Sequence, residues 1–539
     1  MHNEPKNLYS LIAKNALRNP EDIAFITLEK KYSFHELLYS IDRAADMFWQ
    51  IGIRKNDKLA IALKNSIEFV ITHFALSKLG AVTVPINFMV SKEAELLYIL
   101  KNCGAKGVVT EKDFIKNYIK LTDKLNDFKN IISTNYCGID GTIDFWKSLK
   151  HAHYHPQTQE SQAHENDTTS ILYTSGTTGH PKGVVLTHRN LLFNAKASIE
   201  VMQPTKKDVF MCLLPMFHTL AWTANIILPL YVGAKILIIK NISPPKAWLK
   251  AMGKEGVSIM VSVPQIYGIL AKEAKGAKKY FLKYWAFRKV RLCISGAAPL
   301  GHTMKKQFEE VFKAPLLEGY GLTETSPVVT INHPKNKRHG SVGRPLPGLK
   351  IKIVDDSNRY LRTGEEGEIC VQGPSVTSGY HENILATKEL FTDDGWLKTG
   401  DIGVIDDDGF LFIKDRKKDM VIVKGLKVFP AQIEQVLNNH PKIQETAVIG
   451  IPQDNDSETM KCFCVPKKNV QLEVAEIRHY IKEHLDAYKR PREIEIIENL
   501  PKNTLQKTLK RVLLEAELQK KAKAMPGAVS KAMLSDGQS

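Results

Sequence analysis

The residues best suited to chemistry lie together between Ile171 and Gly183, in the string Ile-Leu-Tyr-Thr-Ser-Gly-Thr-Thr-Gly-His-Pro-Lys-Gly. An apolar run delivers the chain into hydroxyls (Thr174, Ser175, Thr177, Thr178), glycines (Gly176, Gly179) and one ammonium group, Lys182. Phosphate oxygens need several donors converging on them, and hydroxyls with backbone N–H groups supply those donors. Glycine lets the backbone approach closely and reach positive φ, while lysine adds a point charge. The string is not a Walker A loop, because no Gly-Lys-Ser/Thr closes it. A Ser/Thr/Gly run alone is more often a surface loop; the full string is far more specific.

The pattern T-S-G-T-T-G-x-P-K-G resembles the signature of the adenylate-forming enzyme superfamily, which includes acyl-CoA synthetases, luciferases and peptide-synthetase adenylation domains. The resemblance continues in order. Ser295-Gly296-Ala297-Ala298-Pro299-Leu300 is similar to the family's adenine-side loop, and Glu318-Gly319-Tyr320-Gly321-Leu322-Thr323-Glu324 to its Y-G-x-T-E motif. Thr399-Gly400-Asp401 resembles the ribose-binding T-G-D. Asp415-Arg416-Lys417-Lys418-Asp419 resembles the interdomain joint, and Pro501 to Lys507 the terminal lysine motif. Within the superfamily the chain is similar to bacterial long-chain fatty-acid–CoA ligases, through Leu292-Cys293-Ile294-Ser295-Gly296 and Lys417-Lys418-Asp419-Met420-Val421-Ile422-Val423.

The resemblance implies ATP, CoA and Mg²⁺ as cofactors, and activation of a fatty acid to acyl-AMP before transfer to CoA. Physics is consistent with its stations. Tyr320 offers a face on which adenine could stack, although it could equally be a core tyrosine. Thr323 can donate to a phosphate, and Glu324 is a hard oxygen ligand suited to Mg²⁺. Asp401 can accept both ribose hydroxyls; in isolation it reads as a turn aspartate. Carboxylate attack on the α-phosphorus brings two anions together, so positive charge must be supplied. Lys182 and Lys507 are the candidates, the latter by motif only, since lone lysines are usually solvated. By motif position Arg416 sits by the nucleotide, Lys418 is the hinge, and Gly425, in Val423-Lys424-Gly425, leaves room for the thiol.

Pro215-Met216-Phe217-His218 resembles the family's P-x-x-H station at the acyl pocket, in a stretch, Val209 to Ala234, without Asp, Glu, Lys or Arg. Trp222, four residues after His218, would share its face in a helix and could line the acyl channel, or be a plain core tryptophan. Two departures stand out: Gln506 where the family has Gly, and Lys427 where it has Asn.

The elements that must position these residues are those of an α/β protein. Strand patterns at Lys58-Leu63, Ala81-Ile86, Ser170-Thr174, Lys235-Ile239, Ser258-Val263 and Arg291-Ser295 alternate with helical ones such as Ser33-Gln50, Ile67-Leu79 and Arg189-Val201. After Gly340 the character turns β-rich, with a strand at Gly367-Gly373 and a hairpin turn at Asp406-Asp407-Asp408-Gly409. Beyond the charged joint, an α+β module follows. The expected organisation is a large N-terminal domain of layered α/β sheets with a β-rich subdomain (1–414), a hinge (415–419), a small mobile α+β domain (420–515) and a loosely ordered tail (516–539).

A length of 539 residues requires more than one core, and 43% hydrophobic with 25% charged residues argues against disorder. The net charge of +17 suits anionic partners in general without selecting one. No nucleic-acid motif is evident. Seven scattered cysteines fit reduced thiols in a cytoplasmic protein. Pro215, His218, Asn225, Pro229 and Gly233 interrupt the uncharged stretch, so it reads as buried core rather than a membrane span. Peripheral contact with the inner membrane face and a homodimer are compatible with this reading. The rivals are a fatty acyl-AMP ligase serving a carrier protein, adenylation of another carboxylic acid, and a non-catalytic lipid or membrane-surface binder on the same scaffold.

Overall fold

The computed structural model of the chain describes residues 4–135, 138–174, 180–423, 426–452, 458–502 and 508–524. By contacts the chain divides into two units. The first comprises the chain up to Lys352 with Cys370–Thr399 and Gly409–Leu411; the second comprises Ile353–Ile369, Gly400–Asp408 and the chain from Phe412 onward.

The first unit carries two large sheets. One has the strand order Arg344–Pro345, Val328–Ile331, Leu316–Gly321, Leu292–Ser295, Ile259–Ser262, Val209–Cys212, Lys235–Ile238, Ile23–Ile26, Lys31–Ser33. From Leu316–Gly321 to Ile23–Ile26 every pairing is parallel. The other has the order Thr142–Asp144, Asn130–Ser133, Ala105–Thr110, Lys58–Ala62, Val82–Pro85, Thr168–Thr174, Lys182–Thr187, antiparallel only at its last pair. Parallel strands are covered on both faces, which is why they read as uninterrupted aliphatic runs such as Leu292-Cys293-Ile294.

Local signals set the helix ends. Ser33 accepts from the Glu36 N–H while the Glu36 carboxylate accepts from the Ser33 N–H, which starts Phe34–Gln50 with a capping box. Ile67–Leu79 begins on the Ser66 cap and ends at Gly80, whose φ of 66° closes the turn without a Cβ clash. This helix is buried on nearly every side, so it shows little amphipathic period. The uncharged stretch is core, as expected: a strand, Val209–Cys212, then one helical run from Thr219 to Val232 containing a π-helical turn at Thr223–Ile227. Among the described residues no helix is long and apolar enough to cross a membrane.

The β-rich region forms a four-stranded sheet in the order Lys350–Val354, Gly367–Gln372, Leu397–Ile405, Leu411–Arg416, with the turn at Asp406–Gly409 between its last two strands. In the second unit, strands Ile443–Pro452, Glu458–Pro466 and Glu493–Ile496 form one sheet with helices Pro430–Leu437 and Val474–His484. Ile433, Leu437, Val448, Cys462 and Ile477 build its core. The layered α/β architecture with a smaller α+β part toward the C-terminus matches the expectation. The helix Lys510–Ala524 extends into the segment from Ala516 that the sequence suggests as a tail. Glu517, buried and paired with Lys461 at 2.7 Å, and Leu513 anchor that helix despite its thin apolar content.

Candidate active site

The strands that flank the phosphate-loop string, Thr168–Thr174 and Lys182–Thr187, are antiparallel neighbours in the first unit. Thr174 pairs with Lys182 in register, and its hydroxyl donates to the Lys182 carbonyl at 3.5 Å. Ser175, Gly176, Thr177, Thr178 and Gly179 lie outside the described residues. The strand feeding the loop is anchored from beneath by a buried polar cluster. The Nε2 of His73 is 3.1 Å from Ser170 Oγ and 3.0 Å from Thr83 Oγ1. Burial, then the nearby His188, drives the His73 pKa down to about 3; burial takes His188 to about 4. Both imidazoles are therefore neutral at pH 7.

The Lys182 ammonium lies 5.1 Å from the centre of the Tyr380 ring, and the Tyr380 hydroxyl donates to Glu324 Oε1 at 2.9 Å. The cation and the carboxylate expected to face the phosphates thus share one aromatic partner. Burial, then the Glu324 charge, pushes the Tyr380 phenol well above its ordinary value, so it remains a donor. Sequence reasoning missed Tyr380. It reaches the site through non-local backbone pairing: the Val185 N–H donates to the Gly379 carbonyl at 3.1 Å, and the His381 N–H to the Gly183 carbonyl at 2.7 Å.

Behind Glu324 the chain makes a 3₁₀ turn, Thr323–Thr325, followed by Ser326 at φ 72°. Two asparagines of helix His188–Met202 clamp this region. Asn194 Nδ2 donates to the carbonyls of Thr325 and Val328 at 3.2 and 2.7 Å, and its Oδ1 accepts from the Val328 N–H at 3.2 Å. One turn earlier, Asn190 Nδ2 donates to the carbonyls of Pro374 and Val376 at 2.8 and 3.1 Å. These positioning residues were also missed; two asparagines four apart inside a helix are the available signal, since such residues are poor helix formers.

Gly319, Tyr320 and Gly321 close strand Leu316–Gly321. Gly321 cannot be replaced without movement, because a Cβ there would sit 1.9 Å from the Pro327 carbonyl oxygen. Glu318 is held by Lys305 in a 2.9 Å ion pair. Gly296, Ala297 and Ala298 follow strand Leu292–Ser295, and Ala297 adopts φ 66°, a costly region for a residue with a Cβ. These stations cluster at the carboxyl ends of parallel strands, the side where open α/β sheets bind ligands.

A cavity of about 60 Å³ opens beside Tyr320, lined by Val261, Ile294, Gly296, Ala297, Gly319 and Gly321 from the strand ends. Leu220, Ala224 and Leu228 of the helical run, with Met202 and Val328, complete an apolar wall. Trp222 is not among the residues that line this cavity. It stands two residues from both Leu220 and Ala224, which turns it to the other side of the helix. There it is 4% exposed and stacks on His73 with ring centroids 4.0 Å apart. His218 caps the start of this helical run beside Phe217, 4.4 Å between ring centroids, and burial lowers its pKa to about 4.

In the second unit, Asp401 is 5% exposed and pairs with Arg416, Nε to Oδ1 3.2 Å. The preceding Gly400 N–H donates to Glu368 Oε1 at 3.1 Å, and Lys417 binds the other Glu368 oxygen at 2.9 Å. Lys418 is held below its ordinary pKa by burial and by Arg416. Asp415 accepts from the N–H groups of Arg416 and Ala431 at 2.7 and 2.9 Å, which ties the joint to helix Pro430–Leu437. Gly425 and Lys507, like Gln506, lie outside the described residues.

Among the described residues no cluster of three or more His, Cys, Asp or Glu side chains forms a metal cage. Mg²⁺ beside phosphates requires only one or two carboxylates plus nucleotide oxygens. Glu324, steadied by Tyr380, fits that mode.

The ordered motifs and this geometry agree with the comparisons. The chain belongs to the AMP-binding enzyme family: the model of that family matches residues 12–381, and that of its C-terminal domain matches residues 432–507. It falls in the AMP-forming acid–CoA ligase class, whose members use ATP and CoA. A long-chain-fatty-acid–CoA ligase of Salmonella typhimurium is 31% identical over 94% of both chains. An anthranilate CoA ligase solved with anthranoyl-AMP is 27% identical, with a TM-score of 0.88 covering 97% of this chain and 99% of that one. An o-succinylbenzoate CoA synthetase of Bacillus subtilis, solved with its acyl-adenylate, is 28% identical, with a TM-score of 0.81 covering 95% and 98%.

Proposed function

We propose that this ligase activates a long-chain fatty acid and transfers it to CoA. The observation that supports this most is the wholly uncharged wall of the cavity beside Tyr320; the 31% identity to a fatty-acid ligase over nearly the whole length agrees. Each methylene buried there contributes roughly 0.8 kcal/mol, which favours alkyl acids over diacids.

A carboxylate oxygen of the acid attacks the α-phosphorus of ATP, and the bond to pyrophosphate breaks. Lys182 and Lys507 supply positive charge where it is needed, and Thr323 donates to a phosphate oxygen. Glu324 would hold Mg²⁺, which would supply positive charge to the phosphates. Tyr320 stacks on adenine beside Gly296, Ala297 and Ala298; Asp401, oriented by Arg416, accepts the ribose hydroxyls. The CoA thiolate then attacks the acyl carbon and AMP leaves, Gly425 giving the thiol room. Residues 415–419 serve as the hinge between the two steps, with Lys418 at its pivot.

A volume of about 60 Å³ holds only a few methylenes, since one water occupies ~30 Å³ in the liquid. A long chain therefore requires the wall to yield. The same volume favours a second reading, a compact apolar or aromatic acid. CoA ligation measured across acids from acetate to oleate, with benzoate included, separates the two. Highest kcat/KM on long alkyl acids supports the first; highest kcat/KM on a small acid with no turnover of oleate rejects it.

A further inference from the structure

A helix in the first unit turns an aromatic face outward. Gly276–Phe281 and Leu282–Ala286 form one continuous helical run. Leu282 and Ala286 point inward at 2% and 1% exposure, while Tyr280, Phe281, Tyr284 and Trp285 stand 66%, 38%, 63% and 42% exposed. These four occupy positions i, i+1, i+4 and i+5, which share one side of a helix. A contiguous exposed apolar patch of this kind marks an interaction surface.

The charge around it is predominantly cationic. Between Lys272 and Lys289 the chain carries seven cationic residues and one carboxylate, Glu273, which pairs with Lys278 at 2.8 Å. The neighbouring helix Pro245–Glu255 adds Lys246, Lys250 and Lys254, spaced by four and all exposed. The two helices are locked together. Trp285 Nε1 donates to the Lys250 carbonyl at 3.4 Å and Arg288 Nη2 to the Gly253 carbonyl at 2.9 Å. Gly253 admits the indole: a Cβ there would lie 2.3 Å from Trp285 Nε1. An open cleft lined by Leu28, Lys250, Lys254, Phe281 and Trp285 continues the patch; of its two carboxylates, Glu29 sits beside Lys30, and Glu255 is paired with Lys31 at 2.6 Å.

Rings with an apolar body and a polar tip, interleaved with ammonium groups, match the headgroup layer of a bilayer. A single-stranded nucleic acid would want open ring faces in a basic groove. Here Tyr280 and Tyr284 face each other at an interplanar angle of 15°, and Lys283 and Arg288 cover Tyr284 and Trp285. We propose that the helix Gly276–Ala286 and the Lys246–Lys250–Lys254 stripe dock the protein on an anionic lipid surface. The rings enter the headgroup layer and the lysines meet lipid phosphates. This goes beyond the fatty-acid reading and does not depend on it.

Flotation of the full chain with vesicles tests the proposal. Binding is expected to vesicles of phosphatidylcholine mixed with phosphatidylglycerol and not to phosphatidylcholine alone. Lys275→Ser with Lys279→Ser lowers partitioning roughly 30-fold, the effect of two lysines at an anionic surface. Tyr280→Ser with Tyr284→Ser lowers it about 10-fold, with an unchanged melting temperature, since these rings leave most of their surface in water. Absence of binding to the mixed vesicles overturns the assignment, as does unchanged binding by both double variants. A single-stranded oligonucleotide retained by the wild type and released by the same substitutions assigns the ridge to nucleic acid and overturns it equally.

Discussion

In the first unit the segment Thr323–Val328 is positioned by neutral groups: the amide of Asn194, the Tyr380 hydroxyl and a Gly321 that leaves no space for a side chain. In the second unit the joint is held by ions. Asp415 accepts two backbone N–H groups, and Lys510 pairs with Glu434 at 2.8 Å, with side-chain exposures of 20% and 17%. Neutral clamps tolerate changes in pH but demand shape; paired ions tolerate small shifts in shape but fail when one partner is lost. The segment beside Lys182 and the joint are held by different kinds of contact.

Breaking each side of this contrast should give effects of different kinds. Lys182→Ala should reduce acid-dependent ATP–pyrophosphate exchange by ~10²–10³-fold with little change in melting temperature, as for removal of one preorganised electrostatic group. Lys510→Met should do the reverse. It leaves Glu434 without its partner and costs about 3 kcal/mol of stability in the second unit, read by urea unfolding. A Lys510→Met variant as stable as the wild type would show that the ion pair adds nothing. Asn194→Ala should cost ~1–3 kcal/mol in the first unit, because it strands the Val328 N–H and two carbonyls.

Acid sharpens the comparison. His73, His188 and His218 have folded values near 3, 4 and 4, below an ordinary imidazole. The folded first unit binds fewer protons than the unfolded chain, so their contribution is complete above pH 6.5 and is lost as pH falls toward 4. The slope is up to about 1.4 kcal/mol per pH unit for each histidine. Burial raises Asp415 and Glu434 instead. Their folded forms bind more protons, so this contribution grows as pH falls and disappears as pH rises through the raised values. Hydrogen exchange, corrected for intrinsic rates, should show strand Thr168–Thr174 losing protection between pH 7 and 5 before helix Pro430–Leu437 does. The opposite order would contradict the assignment of charge states. Tyr380→Phe carries the smallest effect, roughly 0.5–1.5 kcal/mol for one hydrogen bond to Glu324, read as a modest rise in the Mg²⁺ concentration needed for exchange.

What the sequence revealed follows from range of interaction. Leu292–Ser295 and Ile259–Ser262 were readable because strands covered on both faces must be aliphatic, and Ile67–Leu79 because Ser66 and Gly80 bracket it. The stations in Gly319 to Glu324 were readable because their spacing lies within one strand and one turn. Tyr380 was not, because only the pairing of Gly379 with Val185, far apart in the chain, brings it to Lys182. For Trp222 the four-residue spacing from His218 left channel and core open; it is buried against His73, while the cavity beside Tyr320 takes the alternate row Leu220, Ala224, Leu228. Spacing tells which residues share a helix face and not which face meets the ligand.

The most direct measurement is ATP–pyrophosphate exchange by the purified protein, dependent on added fatty acid, with Lys182→Ala and Lys507→Ala alongside. Exchange driven by palmitate or oleate, and lost in both variants, is the predicted result. No exchange with any carboxylic acid, or wild-type rates in the two variants, would contradict the account.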